Sequence, residues 1–111
     1  MKVFVYYDVS GSVPEELFNK FLFEAAWRKS QLGDVEWHEF CFDHKVRPLE
    51  GNAWPNYGGG GTDIDAVREH FLSHAEEGDG LLIFSDGYIP ELGPIPNHHP
   101  VELVFLDPET L

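Results

Sequence analysis

The sequence predicts an α/β fold: an open, mostly parallel β-sheet with helices on both of its faces. Short runs such as VFVYY and LLIF are apolar at nearly every position, which is typical of strands that are covered on both faces. Segments with apolar residues at helical spacing lie between these runs, as parallel crossover connections require. The chain has 111 residues, enough for one compact domain and too few for two. We therefore expect a single domain over residues 1–111.

The first half of the chain is expected to contain one helix and three strands. Residues 2–7 (KVFVYY) form the first predicted strand. Pro14 then begins a helix, because it is followed by two glutamates that suit the positive end of a helix dipole. This helix has one apolar stripe and ends at Gly33. Residues 35–42 (VEWHEFCF) read as a second strand, and a tight turn leads into a short third strand at 46–49.

The second half begins with a segment that is too rich in glycine for regular structure, residues 51–61 (GNAWPNYGGGG). Thr62 or Asp63 begins a second helix with an apolar inner face. Residues 81–84 (LLIF) form the fourth predicted strand, and a proline-rich loop leads to the last strand at 101–106. The order β-α-β-β-α-β-β predicts a minimal Rossmann-like open sheet with one antiparallel strand.

The charge of the chain limits its partners. Asp and Glu number 20 against 7 Lys and Arg, which gives a formal net charge of −13. Such a surface repels phosphate backbones, so we expect no nucleic-acid partner, whereas divalent cations and basic protein surfaces are favoured. We expect no membrane partner either, because no apolar run approaches the roughly 20 residues that span a bilayer. The single cysteine, Cys41, and the lack of a secretory signal pattern favour a cytoplasmic protein.

Oxygen-bearing side chains follow the ends of two predicted strands and precede the second helix. Ligands of open α/β sheets gather at the carboxyl ends of parallel strands, and a right-handed crossover makes the first and fourth strands neighbours. We therefore expect five side chains to converge there: Asp8, Ser10, Ser12, Thr62 and Asp86. Two carboxylates and three hydroxyls suit Mg²⁺ or Mn²⁺ and suit zinc poorly. In the alternative interpretation the two serines only cap a turn and the first helix.

Three motifs in this region carry a resemblance to a known family. They are D-x-S-x-S at residues 8–12, G-G-T-D at residues 60–63 and S-D-G at residues 85–87. Together they resemble the metal-ion-dependent adhesion site (MIDAS) of von Willebrand factor A (VWA) domains. The motif sequences GGGGTD and FSDG are most similar to those of the short bacterial and phage VWA-like group. The resemblance extends over residues 7–107 and implies a truncated VWA fold, without the helix that closes the longer family domains.

The resemblance also implies roles for the matching residues. The three hydroxyls would touch the metal directly, Asp8 and Asp86 would bind through water or as alternating direct ligands, and Asp63 would tie the loops together. In the family, a partner protein commonly supplies a Glu or Asp carboxylate as the last ligand. The implied function is non-enzymatic, Mg²⁺-dependent capture of an acidic side chain. The implied partner is a component that works beside an AAA+ ATPase, or an assembly factor.

Four aromatic residues are candidates for contact with a partner. Trp54 and Tyr57 lie in the glycine-rich segment, where they either pack inward or rim the metal and anchor a partner. Phe23 and Trp27 lie opposite the apolar stripe of the first helix. Large aromatic side chains on a polar face are unusual unless something covers them. We therefore expect the protein to self-associate, or to dock on a larger partner.

Two other functions and a zinc site are alternative interpretations of the sequence. A small Mg²⁺-dependent phosphohydrolase would use Asp8 and Asp86, but such enzymes usually need a second carboxylate where this chain has Ser10. A structural oligomer with a vestigial metal site is the other alternative. His70 and His74 have the spacing of helical zinc ligands. No third ligand is obvious, so both are predicted to be surface residues.

Overall fold

The fold is described by a computed structural model that covers residues 1–51, 54–55, 60–107 and 109. These residues form two helices and five strands, in the order that the sequence predicts. In chain order they are β1 (Lys2–Asp8), α1 (Glu15–Leu32), β2 (Glu36–Phe42), β3 (Val46–Pro48), α2 (Ile64–His74), β4 (Gly80–Ser85) and β5 (Val101–Phe105). The predicted α/β class is confirmed.

The five strands form one mixed sheet in the order β3-β2-β1-β4-β5. β1 runs parallel to both β2 and β4, and β5 runs parallel to β4. Only β3 is antiparallel to its neighbour, β2, so the predicted single antiparallel strand is also confirmed. The chain leaves β1 toward β2 and β3, then returns to place β4 on the other side of β1. The strand order thus reverses between β1 and β4, and the two strands end side by side.

One helix covers each face of the sheet. Alternate residues of β1 pack on opposite sides, with Val3, Val5 and Tyr7 in the cluster of α1. Phe4 and Tyr6 belong to the cluster of α2. This two-sided burial explains why β1 is apolar at nearly every position. Within the part of the chain that the structure describes, neither helix is long and apolar enough to cross a bilayer.

Both helices are oriented by their apolar stripes. The buried residues of α1 are Leu17, Phe18, Phe21 and Ala25, which lie on the predicted stripe. α1 ends at Gly33, whose φ of +74° is a conformation that glycine adopts without strain. The buried residues of α2 are Ile64, Val67 and Phe71. Each helix therefore presents one face to the sheet and begins near the carboxyl ends of the parallel strands.

The prediction that His70 is a surface residue is wrong, because the side chain is half-buried against the sheet. Its Nδ1 atom lies 2.8 Å from the hydroxyl of Tyr6, and its ring packs edge-on against Phe40 at 4.5 Å. His74 is exposed as predicted, with its ring stacked on His70 at 4.4 Å. Burial, together with the nearby His74, lowers the pKa of His70 below its usual value of 6.5. The folded protein therefore disfavours the protonated form of this histidine.

This burial predicts a pH-dependent loss of stability. As the pH falls below about 6.5, the unfolded chain takes up a proton at residue 70 before the folded protein does. The free energy of unfolding should then decrease until the folded-state pKa is passed. His70→Gln should flatten this dependence below about pH 7. Urea denaturation at each pH measures the free energy of unfolding. His98→Gln, at an exposed position, is the control. Identical slopes for the wild type and His70→Gln would refute the prediction.

Candidate metal centre

The candidate centre lies where β1 and β4 end side by side. Asp8, the last residue of β1, is fully buried. Its Oδ1 atom accepts hydrogen bonds from the backbone N–H of Ser10 at 2.8 Å and from the Ser10 hydroxyl at 2.6 Å. Its Oδ2 atom accepts a hydrogen bond from the hydroxyl of Ser85, 77 residues away, at 2.7 Å. The carboxylate of Asp8 thus joins the two strand ends, as the predicted topology requires.

Asp86 follows β4 and is half-buried. Its Oδ1 atom accepts a hydrogen bond from the backbone N–H of Tyr88 at 3.1 Å and lies 3.5 Å from the Ser85 hydroxyl oxygen. The Ser85 hydroxyl therefore donates its single proton to Asp8 and only lies near Asp86. The sequence reasoning missed Ser85, although a polar residue that ends the apolar run LLIFS is a usable signal. Gly87, with φ of +93°, forms the turn that follows.

Ser12 and Thr62 lie on two loops that touch each other. The backbone N–H of Gly11 donates to the carbonyl of Gly60 at 3.0 Å, which ties the loop after β1 to the segment before α2. Ser12 is exposed and Thr62 is half-buried. Among the described residues, no hydrogen bond joins either hydroxyl to the two aspartates. Hydrogen bonds therefore join Asp8 to Ser10 and Ser85, and Asp86 lies beside Ser85. Ser12 and Thr62 lie on loops that the backbone bond between Gly11 and Gly60 joins.

Asp63 begins α2 and connects it to the end of β2. Its carboxylate caps the helix by accepting a hydrogen bond from the backbone N–H of Ala66 at 3.2 Å. Its own backbone N–H donates to the carbonyl of Asp43 at 2.8 Å. Asp63 thus caps α2 through its side chain and joins α2 to the end of β2 through its backbone.

Asp43 is a second residue that the sequence reasoning missed. It follows β2 directly and is 2% exposed, and its Oδ1 atom accepts a hydrogen bond from the backbone N–H of Lys45 at 3.1 Å. A Cβ atom at Gly60 would lie 3.2 Å from Asp43 Oδ2 and 2.7 Å from His44 Nδ1. Asp43 therefore packs close to the loop of Gly60, where a larger residue would force a shift. Its signal was an aspartate at the end of an apolar strand, as at Asp8.

The four candidate partner-binding aromatics fall into different environments. Trp54 is half-buried and packs edge-on against Phe18, with ring centroids 5.2 Å apart, so it packs toward the α1 side of the core. Tyr57 lies outside the described residues. Phe23 and Trp27 are 77% and 57% exposed on the outer side of α1. Of the three candidates that the structure describes, Phe23 and Trp27 therefore present large aromatic surface to solvent.

The carboxyl group of Asp8 is buried without a neighbouring positive side chain among the described residues. Burial is the main cause that raises the pKa of Asp8 above 3.8, and the charge of Asp86 adds to it. The hydrogen bonds from Ser10 and Ser85 act in the opposite direction. Among the described residues, Asp8 forms no ion pair with a lysine, arginine or histidine. A bound cation would supply the positive charge that this buried carboxylate lacks.

The donor atoms at this edge fit a hard cation. The described residues contain no group of three or more His, Cys, Asp or Glu placed to hold a metal. The other oxygen donors at this edge are the hydroxyls of serine and threonine. Carboxylate and hydroxyl oxygens are ligands that suit Mg²⁺ and Mn²⁺, which also retain water. The all-oxygen set is thus chemically compatible with either ion.

No family model matches the sequence, and no curated protein matches it significantly. The motifs of this chain and the geometry of this edge of the sheet are therefore the basis for inferring its function.

Proposed function

We propose that this protein is a Mg²⁺-dependent, non-enzymatic protein-binding module of the VWA type, built on a short Rossmann-like sheet. Its centre captures an acidic side chain of a partner protein. The observation that carries the proposal is the buried carboxylate of Asp8, held by both Ser10 and Ser85 where the strand order reverses. An open α/β sheet binds its ligands at such a reversal.

In this proposal each residue has a defined task. The hydroxyls of Ser10, Ser12 and Thr62 hold the ion, and Asp8 and Asp86 accept hydrogen bonds from its water molecules or bind it directly. Ser85 fixes the orientation of the Asp8 carboxylate. When bound, Mg²⁺ supplies the positive charge that attracts a carboxylate. No covalent step is part of the mechanism.

The acidic surface constrains the partner. A chain with a formal net charge of −13 repels acidic proteins at long range. The partner should therefore carry basic residues around the carboxylate that it contributes. The partner that we propose has both a carboxylate and surrounding basic residues on its surface. It is a component associated with an AAA+ ATPase, or an assembly factor.

Calorimetric titration of EDTA-treated protein with MgCl₂ and MnCl₂ tests the centre. We expect saturable binding to the wild type and a loss of affinity of about 10- to 100-fold in Ser10→Ala, because the hydroxyl beside Asp8 is removed. Ser73→Ala removes an exposed hydroxyl on α2 and should leave binding unchanged. Circular dichroism verifies that each variant is folded. No heat from the wild type at millimolar metal, or equal heat from Ser10→Ala, would contradict the proposal.

A further inference from the structure

The two edges of the sheet are protected to different degrees. β3 forms one edge and has only three residues, Val46–Pro48, which include Arg47 and Pro48. A short edge strand that carries proline and positive charge resists pairing with other chains. β5 forms the other edge with five residues, Val101–Phe105, and contains no proline or lysine. The protection that β3 shows is therefore lacking at β5.

The backbone of β5 leaves hydrogen-bonding groups directed away from the sheet. The N–H of Leu81 donates to the carbonyl of Pro100 at 2.9 Å, and the N–H of Leu106 donates to that of Ser85 at 3.0 Å. Because backbone groups alternate in direction along a strand, the ladder to β4 uses the even-numbered residues of this segment. The odd-numbered residues, which we call the β5 edge residues, face outward: Val101, Leu103 and Phe105.

The side chains of the β5 edge residues are also partly exposed to solvent. They lie on the α2 side of the sheet and are 42%, 38% and 53% exposed for Val101, Leu103 and Phe105. Glu102, on the opposite face, is paired with Arg28 of α1 through two hydrogen bonds of 3.1 and 3.0 Å. The outward edge is therefore apolar, and the one charge of the strand already has a partner.

We propose that a second copy of this chain pairs with β5 in antiparallel orientation, about a two-fold axis through Leu103. This register places Val101 opposite Phe105 of the second copy and Leu103 opposite Leu103. It places Glu102 opposite Val104, so no like charges face each other across the strands. Apolar cross-strand pairs of this kind stabilise a sheet.

A second copy fits this edge better than a basic peptide does. A basic strand would need acidic groups along β5, and Glu102 is already engaged by Arg28. The β5 edge residues are instead complementary to themselves in the antiparallel register, which is the property that a two-fold interface requires. The pairing also predicts a salt effect, because the net charge of −13 on each copy opposes association until salt screens it.

Sedimentation of the full chain over a range of concentrations tests the association. We expect a monomer–dimer equilibrium that shifts toward the dimer as sodium chloride increases. Leu103→Lys should raise the dimer dissociation constant about 10-fold or more, because it places two like charges at the axis. Phe23→Lys tests the alternative that the exposed aromatics of α1 mediate association, and in the proposed dimer it should leave the association intact. A monomer at all concentrations, or a dimer that only Phe23→Lys disrupts, overturns the proposal.

Cysteine cross-linking tests the register. In the proposed dimer the two Leu103 Cα atoms are about 5.5 Å apart, within the range of a disulfide. Leu103→Cys should therefore form a disulfide-linked dimer under mild oxidation, whereas the native Cys41 is buried. Val101→Cys is the matched control, because residue 101 lies about 13 Å from its symmetry mate in this register. Equal cross-linking of the two variants, or none in Leu103→Cys, overturns the proposed pairing.

Discussion

Asp8→Asn is expected to remove Mg²⁺ binding while it stabilises the metal-free protein. The carboxylate of Asp8 is fully buried, and ionisation in that environment is costly unless a positive charge is close. The amide has nearly the same shape and can still accept the backbone hydrogen bond of Ser10. The Ser85 hydroxyl can turn to accept a hydrogen bond from the new amide group. We therefore expect the free energy of unfolding to rise by about 1 kcal/mol, and the Mg²⁺ affinity to fall about 100-fold.

Opposite changes in two measurements make this prediction specific. Calorimetric titration gives the affinity, and urea denaturation in the presence of EDTA gives the free energy of unfolding. Asp34→Asn alters an exposed aspartate beyond α1 and should change neither quantity. If Asp8→Asn lost stability in EDTA, the Asp8 carboxylate would have a structural role, and the argument for a cation there would fail.

Phe84→Ala is expected to cause a large loss of stability. Phe84 is the last residue but one of β4 and is fully buried. Its ring stacks on Tyr7 with centroids 5.4 Å apart and meets Phe21 of α1 at 5.8 Å. Removal of this ring leaves a cavity between the sheet and α1, and such changes cost about 3–5 kcal/mol. A domain of this size has a stability of only about 5–15 kcal/mol, so the variant should be close to unfolding.

Chemical denaturation of the wild type and two alanine variants measures this cost. Phe23→Ala makes the same change at a residue that is 77% exposed, and its effect should remain within about 0.5 kcal/mol. The comparison separates burial from the loss of an aromatic ring as such. A loss below about 1 kcal/mol in Phe84→Ala would mean that the α1 side of the core is loosely packed.

The order and type of the elements could be predicted from local sequence. Continuous apolar runs identified the strands that are buried on both faces, and glycine and proline marked most of the boundaries. The neighbouring positions of β1 and β4 followed from the topology of parallel crossovers. Asp8 and Asp86 could therefore be placed at one edge before the structure was known.

The polar contacts inside the site were harder to predict. A strand-end position indicates that a side chain is near the edge, but local sequence does not specify which polar groups point inward. Ser85 and Asp43 were missed for this reason, since both contact residues that are distant in the chain. The burial of His70 depends on Tyr6 and Phe40, which α2 meets only in the folded sheet.

The exposure of β5 was hidden by its composition. The run VELVFL resembles a central strand, because apolar content alone does not show whether a neighbouring strand is present. Its position at the edge of the sheet became visible only with the strand order. Trp54 presents a similar case, since its inward packing depends on Phe18 of α1.

The hydrogen bond between Asp8 and Ser85 has a consequence for protein synthesis. The two residues are 77 positions apart, so a chain that is still being translated cannot complete the centre until Ser85 has left the ribosome. Before that moment the Asp8 carboxylate is hydrated and its neighbours in β4 are missing. In the proposed function, binding of a divalent ion would therefore require that β1 and β4 have already paired.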